Sequence, residues 1–250
     1  MVIDTSALIA PLAAASRAEE ISARLTEAIH LGLIADGEQL PPEVELAQQF
    51  GVATMTLRES IASLRERGLV ETRRGRNGGT FVKRSLEPPE EPDVARLADV
   101  SVGWLRDAAD EQLAITGLAA RLAAERAAPR SVRLIVGLVD QLIAAETRGA
   151  RIKADSRFHI EVAIATRSDR LVRREVALQA EVAGMLWLPH LGGEDMAAII
   201  REHHEIATAI AAEDGEGAQA ASERHVRANL RRLTAAHLHL LEDSSRENPR

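Results

Sequence analysis

The chain has 250 residues, a length that suits one large domain or two of ordinary size. Hydrophobic residues make up 46% of it but aromatic residues only 2%, so the core must consist of Ala, Leu, Ile and Val, which favours helices. The charged fraction of 28% excludes a disordered chain, and no apolar run of about 18 residues predicts a membrane span. The absence of Cys excludes disulfides and thiolate metal sites and suits the cytoplasm, where we expect the protein to act.

The net charge of −7 is distributed unevenly along the sequence. Residues 58–84 contain eight Lys or Arg and three Glu, whereas residues 85–250 contain 21 basic and 27 acidic side chains. A cationic segment attracts a phosphate backbone and an acidic one repels it. The charge pattern therefore indicates nucleic-acid binding by the N-terminal part alone.

An acidic, proline-rich stretch separates the two parts of the chain. Residues 85–93 contain three Pro and four acidic residues, a composition that favours neither a helix interior nor a central strand. The predicted division is a flexible tail at 1–16, a first domain at 17–84, a linker at 85–101, a second domain at 102–243 and a C-terminal tail at 244–250.

The first domain has the pattern of three helices followed by a hairpin. Helical spacing of apolar residues is interrupted at Gly32 and Gly51 and ends at Gly68, and a short helix, a glycine turn and a longer helix are the order of a helix-turn-helix. Two β-prone runs, 69–72 and 80–83, flank a basic, glycine-rich loop and predict a wing. A solvated hairpin explains that loop better when it is taken alone, but the whole ordered set favours DNA binding.

Several sequence elements in this domain are characteristic of one family. They are Leu-Pro-x-Glu-x-Glu-Leu-Ala, Gly-Val, Leu-Arg-Glu, and a wing that runs from Gly-Leu-Val to Gly-Thr-Phe-Val. Through them, residues 21–82 resemble the winged helix of the GntR family of bacterial transcription regulators. The resemblance implies DNA contacts from the start of the second helix, the recognition helix and the wing. The expected contact residues, including the wing's basic cluster, are Val44, Thr54, Met55, Thr56, Arg58, Arg73, Arg74, Arg76, Asn77 and Gly78.

Three positions depart from that family's pattern. Arg is common in the family where Val44 stands, Ser or Thr where Ala53 stands, and Arg where Thr54 stands. With Val44 and Thr54 in place of Arg, the chain lacks two guanidinium groups that would suit guanine edges. We therefore expect an atypical operator. Thr54 is expected to cap the recognition helix, and Arg58 is the best candidate for a charged contact with DNA.

Helical patterns fill the second domain. The predicted helices span 102–127, 131–148, 151–166, 169–188, 195–212 and 215–241. Short loops between long helices predict an antiparallel bundle. The predicted fold class is mainly α, with an N-terminal winged helix-turn-helix and a C-terminal antiparallel all-helical bundle.

Four polar residues on apolar helix faces suggest a metal site. Asp155 and His159 are four residues apart, which places a carboxylate and an imidazole on one helix face, and His203 and His225 lie on two later helices. Such ligands suit Zn, Ni, Mn or Fe. Spacing alone nevertheless favours an ordinary hydrogen-bonded histidine at each position. The histidines expected at the surface are His190, His237 and His239.

The second domain also shows a resemblance, which strengthens the metal interpretation. Residues 102–234 are similar to the FCD effector domain of the FadR-type branch of GntR regulators, through ARLAAERA at 120–127, DSRFHIEVA, Glu202-His203 and a later His. In metal-containing members the four matching positions hold the ion. The resemblance thus implies a divalent metal ion at Asp155, His159, His203 and His225.

The same resemblance implies an effector beside the metal. An Arg and a Glu that are common on the first helix of the domain are replaced by Gln112 and Thr116, which weakens the case for a simple dicarboxylate. The expected effector is small, polar and carboxylate-bearing, and its expected contacts are Gln112 and Asn229.

Together these patterns predict a metal-containing, ligand-responsive repressor of a metabolic operon that binds a palindromic DNA operator as a homodimer. A metal-dependent hydrolase is the alternative from another class, but no HExxH pattern occurs and Glu205 should point away from His203. A dimeric scaffold with a degenerate DNA-binding head is a third possibility, suggested by Val44, Ala53 and Thr54. We therefore expect a regulator and not an enzyme.

Overall fold

The computed structural model describes residues 17–75, 78–83, 87–189 and 192–247. Within these ranges the chain forms ten helices and two strands, which divide after Glu87 into two compact units. None of the described helices combines the length and the apolar composition that crossing a membrane would require.

The first unit is a winged helix. Its elements are α1 (Arg17–His30), α2 (Glu43–Phe50), α3 (Thr54–Glu66), β1 (Val70–Arg73) and β2 (Gly79–Val82). Ile21 of α1 and Leu57 and Leu64 of α3 are fully buried between the helices. The strands pair antiparallel, with Val70 opposite Val82. The element order is the one that the sequence predicts.

The turn between α2 and α3 fixes where the third helix begins. Gly51 adopts a φ of 67°, which a residue with a Cβ rarely tolerates, and ends α2. Ala53 then takes the extended N-cap conformation, and no side chain caps the helix. The expectation that Thr54 caps α3 is wrong, because Thr54 is already the first helical residue.

The secondary structure elements described in the second unit are all helices. Its elements are α4 (Glu91–Asp99), α5 (Val102–Arg126), α6 (Pro129–Ile143), α7 (Arg148–Ala165), α8 (Asp169–Leu186), α9 (Gly193–Ala211) and α10 (Gly215–Glu247). Helices α5 to α10 are the six predicted helices. The predicted fold class, mainly α with an N-terminal winged helix and a C-terminal helical bundle, is confirmed.

Helix α4 lies inside the predicted linker and was not expected. Pro92 stands in its first turn, where the missing N–H has no helical partner to lose, so this proline is compatible with the start of the helix. Leu97 is fully buried against the bundle. Arg148 of α7 donates hydrogen bonds to the carbonyls of Pro88 (3.0 Å) and Gly184 (2.9 Å) and contacts the Asp93 carboxylate. Helix α4 is therefore held on the bundle by both apolar and polar contacts.

A histidine also contributes to this attachment. His237 of α10 is 5% exposed, and its Nδ1 donates to the Leu97 carbonyl at 2.8 Å. The expectation that His237 lies at the surface is wrong, because α4 covers it. His239 is exposed as expected, and His190 lies outside the described residues.

Helix α7 is central in the bundle and packs against α5, α6 and α8. Most of its residues are buried, including polar ones, and small alanines of α5 such as Ala120 and Ala123 allow the helices to approach closely. The polar side chains of Asp155, Ser156 and Glu161 on α7 therefore face protein rather than water.

Candidate functional site

Three helices bring together the four residues predicted to bind a metal. Helix α7 supplies Asp155 and His159, which lie one turn apart, while α9 supplies His203 and α10 supplies His225. All four side chains are buried, and one ligand atom from each lies within 4.8 Å of the others. The cluster is thus one compact set of oxygen and nitrogen donors inside the bundle.

The contact between His203 and Asp155 tests whether a metal ion fits this cluster. His203 Nδ1 lies 2.9 Å from the Ile199 carbonyl oxygen, which can only accept, so Nδ1 carries a proton and Nε2 is the nitrogen that faces Asp155. That Nε2 lies 2.9 Å from Asp155 Oδ1, yet the two atoms are not aligned for a hydrogen bond and both are buried without another partner. A cation held between this carboxylate oxygen and this ring nitrogen would satisfy both buried atoms.

The spacing of these two atoms fits a shared metal ion. Ligand atoms bound at roughly 2.1 Å to one ion at a right angle lie about 3 Å apart, close to the distance between His203 Nε2 and Asp155 Oδ1. His159 Nε2 is 3.8 Å from the same carboxylate oxygen. The residues present therefore fit a divalent cation.

The electrostatics of the cluster favour metal-binding protonation states. Burial lowers the pKa of His159 well below its usual value and also lowers that of His225, so both imidazoles are neutral at pH 7. Burial opposes ionisation of Asp155, but His203 and the other two histidines outweigh it and lower its pKa below the usual range. Two neutral imidazoles, the His203 ring nitrogen and one carboxylate form a donor set that suits Zn, Ni, Mn or Fe.

A second set of residues orients His225. Its Nδ1 donates to Glu202 Oε2 at 2.8 Å, and Arg232 donates to both oxygens of that carboxylate at 2.7 and 3.0 Å. Burial would raise the pKa of Glu202, but these hydrogen bonds lower it to about 2. An ionised carboxylate thus fixes the tautomer of His225, as is common for metal-binding histidines. We did not anticipate this role for Glu202, although it directly precedes His203 in the sequence.

The cluster opens onto a narrow cavity that holds little more than one water molecule. Both predicted effector contacts, Gln112 and Asn229, line it, together with Thr116 and Gln179. The polar part of the described lining therefore consists of amides and a hydroxyl in addition to the cluster, without a basic side chain. Any ligand larger than a few atoms requires the side chains or helices around this cavity to move.

A buried carboxyl group lies behind the cavity wall. Glu175 of α8 is fully buried and accepts hydrogen bonds from Thr116 Oγ1 at 2.8 Å and Gln179 Nε2 at 3.0 Å. Burial raises its pKa to about 7. The sequence contained a signal for the burial of Glu175, because this residue shares helical spacing with the apolar Val182 and Leu186. We did not predict its burial.

The predicted DNA-contacting residues of α2 and α3 lie at the surface of the first unit. Val44 and Met55 are 59% and 63% exposed, unusually high for large apolar side chains, and Thr54 and Thr56 are half-buried. Arg58 is exposed, and its Nε donates to Glu43 Oε2 at 2.7 Å. This side of the unit thus combines apolar and polar groups around one guanidinium.

The wing presents a second part of the predicted interface. Arg73 pairs with Glu71 and lies over the Phe81 ring at 4.3 Å, and Arg74 is exposed. At Gly78 a Cβ would overlap the Arg73 carbonyl, so this tight hairpin requires glycine there. The predicted contacts Arg76 and Asn77 lie outside the described residues.

Comparisons with known proteins identify both units. Residues 17–82 match the bacterial regulatory proteins of the gntR family, and residues 109–228 match the FCD domain. RmpR of Mycobacterium gastri, named as an HTH-type transcriptional regulator, is 44% identical over 218 residues, 86% of this chain and 79% of that protein. The galactonate operon transcriptional repressor of Escherichia coli is 26% identical over 224 residues, 87% of this chain and 97% of that protein. Streptococcus agalactiae GntR, a solved structure, is 24% identical with a TM-score of 0.45 and covers 86% of this chain and 99% of its own.

These matched families and relatives are transcription regulators and not enzymes, so the expectation of a non-enzymatic regulator is confirmed. The predicted resemblance is confirmed for both units, since the winged helix and the helical bundle match separate parts of the same class of protein. The chain belongs to the GntR family of bacterial transcription regulators, with an FCD domain following its DNA-binding winged helix.

Proposed function

We propose that this regulator is a metal-containing, ligand-responsive repressor of a metabolic operon that binds a palindromic operator as a homodimer in the cytoplasm. The observation that carries the proposal is the facing pair His203 Nε2 and Asp155 Oδ1, 2.9 Å apart and buried without another partner. His159 and His225 complete a donor set for one divalent ion, Zn, Ni, Mn or Fe.

The charge of this donor set indicates what the site would bind next. One carboxylate and three neutral imidazoles leave a bound divalent ion with a net positive charge, which attracts an anion into the cavity. Gln112 and Asn229 line that cavity and supply amide hydrogen bonds. A small, polar, carboxylate-bearing effector fits these features, and it regulates by preferring one conformation of the bundle.

The DNA-binding part of the proposal rests on the exposed side of the winged helix. Val44, Thr54, Met55, Thr56 and Arg58 would face the operator. The wing would add phosphate contacts from Arg73, Arg74, Arg76, Asn77 and Gly78. Two-fold symmetry of a homodimer would present two such surfaces to a palindrome. Repression of a metabolic operon is supported by the name of the galactonate operon repressor, to which this chain is similar.

Gel retardation of the protein's own promoter region at several salt concentrations tests DNA binding. The Arg74→Ala, Arg76→Ala variant should bind DNA less tightly. The slope of the logarithm of the association constant against log salt is negative, and it should become less steep by about 0.9 for each phosphate that the variant no longer neutralises. Arg133→Ala, which removes an exposed charge from α6, is the control and should change neither quantity. An unchanged slope for the wing variant would remove the wing from the interface, and no retardation by wild type would favour a scaffold with a degenerate DNA-binding head.

Metal analysis of the purified full-length protein tests the cluster. Asp155→Ala should lose about one equivalent of bound metal, because it removes the only carboxylate of the donor set. Asp140→Ala, at an exposed position of α6, is the matched control. Circular dichroism establishes that both variants keep their helices. Equal metal contents in Asp155→Ala and wild type would refute the proposed ligand set.

A further inference from the structure

We infer that Asn229 competes with the metal for His225 Nε2, and that its amide changes partner when the ion binds. This inference rests on the proposed metal site and concerns how that site is regulated. It makes Asn229 a switch between the empty and the loaded cluster, a role beyond that of an effector contact.

The orientation of His225 leaves one nitrogen for the metal. Nδ1 lies 2.8 Å from Glu202 Oε2 and must donate, since an ionised carboxylate can only accept. In the neutral imidazole Nε2 then holds the lone pair. Arg232 secures this arrangement through its two hydrogen bonds to Glu202.

The lone pair on His225 Nε2 accepts a hydrogen bond from Asn229. Asn229 Nδ2 lies 2.9 Å from His225 Nε2, and Asn229 Oδ1 accepts from Arg232 Nη1 at 2.8 Å. A guanidinium has only donors, so this second bond defines which end of the amide is oxygen and directs the NH2 group at His225. One lone pair cannot both accept this hydrogen bond and coordinate an ion. Metal binding and the Asn229–His225 bond therefore exclude each other.

Arg232 allows the Asn229–His225 hydrogen bond to break while the Glu202–His225 hydrogen bond remains. Its side chain is 10% exposed and bonds both to Glu202, which holds His225, and to Asn229, which blocks it. Release of the amide thus leaves the imidazole oriented toward the cluster. Because Asn229 lines the cavity beside Gln112, its freed NH2 group becomes available to an acceptor oxygen there. Metal loading would in this way create the donor that a carboxylate ligand needs.

The test uses full-length protein stripped of metal, with Zn²⁺ as the probe in competition against a chromophoric chelator. Asn229→Ala removes the competing donor and should bind Zn²⁺ about three- to tenfold more tightly, the range that corresponds to one hydrogen bond. Gln219→Ala changes a polar residue elsewhere on α10 and should leave the affinity unchanged. Asn229→Asp keeps an acceptor for Arg232 but presents no donor to His225, and should tighten binding further.

A second measurement separates competition from a structural effect. Stripped Asn229→Ala should melt at or below the temperature of stripped wild type, because a hydrogen bond is lost, while saturating Zn²⁺ should raise its melting temperature by more. Acetate, as a carboxylate probe, should bind Zn²⁺-loaded Asn229→Ala more weakly than loaded wild type.

The outcomes distinguish the two proposals. Absence of Zn²⁺ binding by wild type would refute the metal site itself. Binding by wild type with equal or weaker affinity in Asn229→Ala would overturn the competition and leave the site intact. Unchanged acetate affinity in loaded Asn229→Ala would overturn the change of partner.

Discussion

Thr116 of α5 donates a hydrogen bond of 2.8 Å to Glu175 of α8, and this bond joins two helices that line the cavity. Gln179, which donates to the same carboxyl group, is also a neutral side chain. Burial therefore raises the pKa of Glu175 to about 7, against an ordinary value of 4.5. Near neutral pH the folded protein holds a carboxyl group that ionises only at an energetic cost.

We predict that Glu175→Gln stabilises the metal-stripped protein in a pH-dependent manner. Between pH 4.5 and 7 the folded state of wild type keeps a proton that the unfolded state releases, so its stability falls as the pH rises through this window. Gln avoids this loss and should add on the order of 3 kcal/mol at pH 8, and less than about 1 kcal/mol at pH 5. Urea unfolding at the two pH values measures the difference.

Glu181→Gln provides the control for this prediction. Glu181 lies on the same helix but is exposed, so the substitution should change stability little at either pH. A gain of equal size at pH 5 and pH 8 in Glu175→Gln would contradict the electrostatic explanation, because a packing effect does not depend on ionisation.

The helical spacing of residues in the sequence predicted the helices and the residues that share a helix face. The six long helices of the second unit follow from their apolar periodicity, and Asp155 and His159 share a face because they are four residues apart. That His203 and His225 meet them from two other helices did not follow from spacing, and we expected it because of a family resemblance. Spacing places residues on a helix face but does not define which helices face one another.

Three of the features that were missed depend on tertiary packing. The three prolines between 85 and 93 suggested a linker, yet Pro92 lies in the first turn of α4, and Leu97 and Arg148 attach that helix to the bundle. His237 is buried because α4 covers it. Glu175 is charged in sequence but lies inside the core between neutral partners. In each case an interaction with a residue far along the chain determines the environment.

The start of the recognition helix yields a second prediction. Ala53 occupies the N-cap of α3 without a side chain that could accept a hydrogen bond from the first turn. Ala53→Ser should supply that acceptor to the N–H of Met55 or Thr56 and stabilise the helix by about 1 kcal/mol. Hydrogen exchange in the full-length protein should show slower exchange of those two amides.

Ala62→Ser, in the middle of α3, is the matched control for the cap. It introduces the same hydroxyl where every backbone N–H already has a partner, so it should be neutral or destabilising. Equal protection of Met55 and Thr56 in both variants would show that the hydroxyl does not act through the N-cap.

A third prediction concerns Arg58, whose guanidinium pairs with Glu43 at 2.7 Å. Because both side chains are exposed, the pair should contribute less than about 1 kcal/mol to stability. If Arg58 contacts the operator, Arg58→Ala should weaken operator binding by about 1–3 kcal/mol, a range typical of a specific contact and equivalent to a five- to 150-fold loss of affinity. Glu43→Gln keeps the guanidinium, removes a charge that repels phosphate, and should bind DNA at least as tightly as wild type.

Fluorescence anisotropy with an operator fragment, and with a scrambled fragment of equal length, measures this effect. Loss of affinity for the operator alone would identify Arg58 as a base or register contact, and equal loss for both fragments would identify a phosphate contact. Retention of full affinity for both fragments would remove Arg58 from the interface.

Two helical glycines of the second unit should respond in opposite directions to the same substitution. Gly137 in the middle of α6 has open space where a Cβ would stand, so Gly137→Ala should stabilise the protein by about 0.5–1 kcal/mol through helix propensity. At Gly184 in the last turn of α8, a Cβ would overlap the Asp93 carboxylate, which contacts the buried Arg148. Gly184→Ala must displace that carboxylate and should destabilise by about 1–3 kcal/mol.

The origin of the loss at Gly184 can be isolated by a double-mutant cycle. If the clash with Asp93 is the cause, Gly184→Ala should cost much less in an Asp93→Ala background, because the overlapping atoms are gone while the helix propensity gain remains. Urea unfolding of the four proteins gives the coupling free energy. Additive effects would mean that the Asp93 carboxylate does not restrict Gly184.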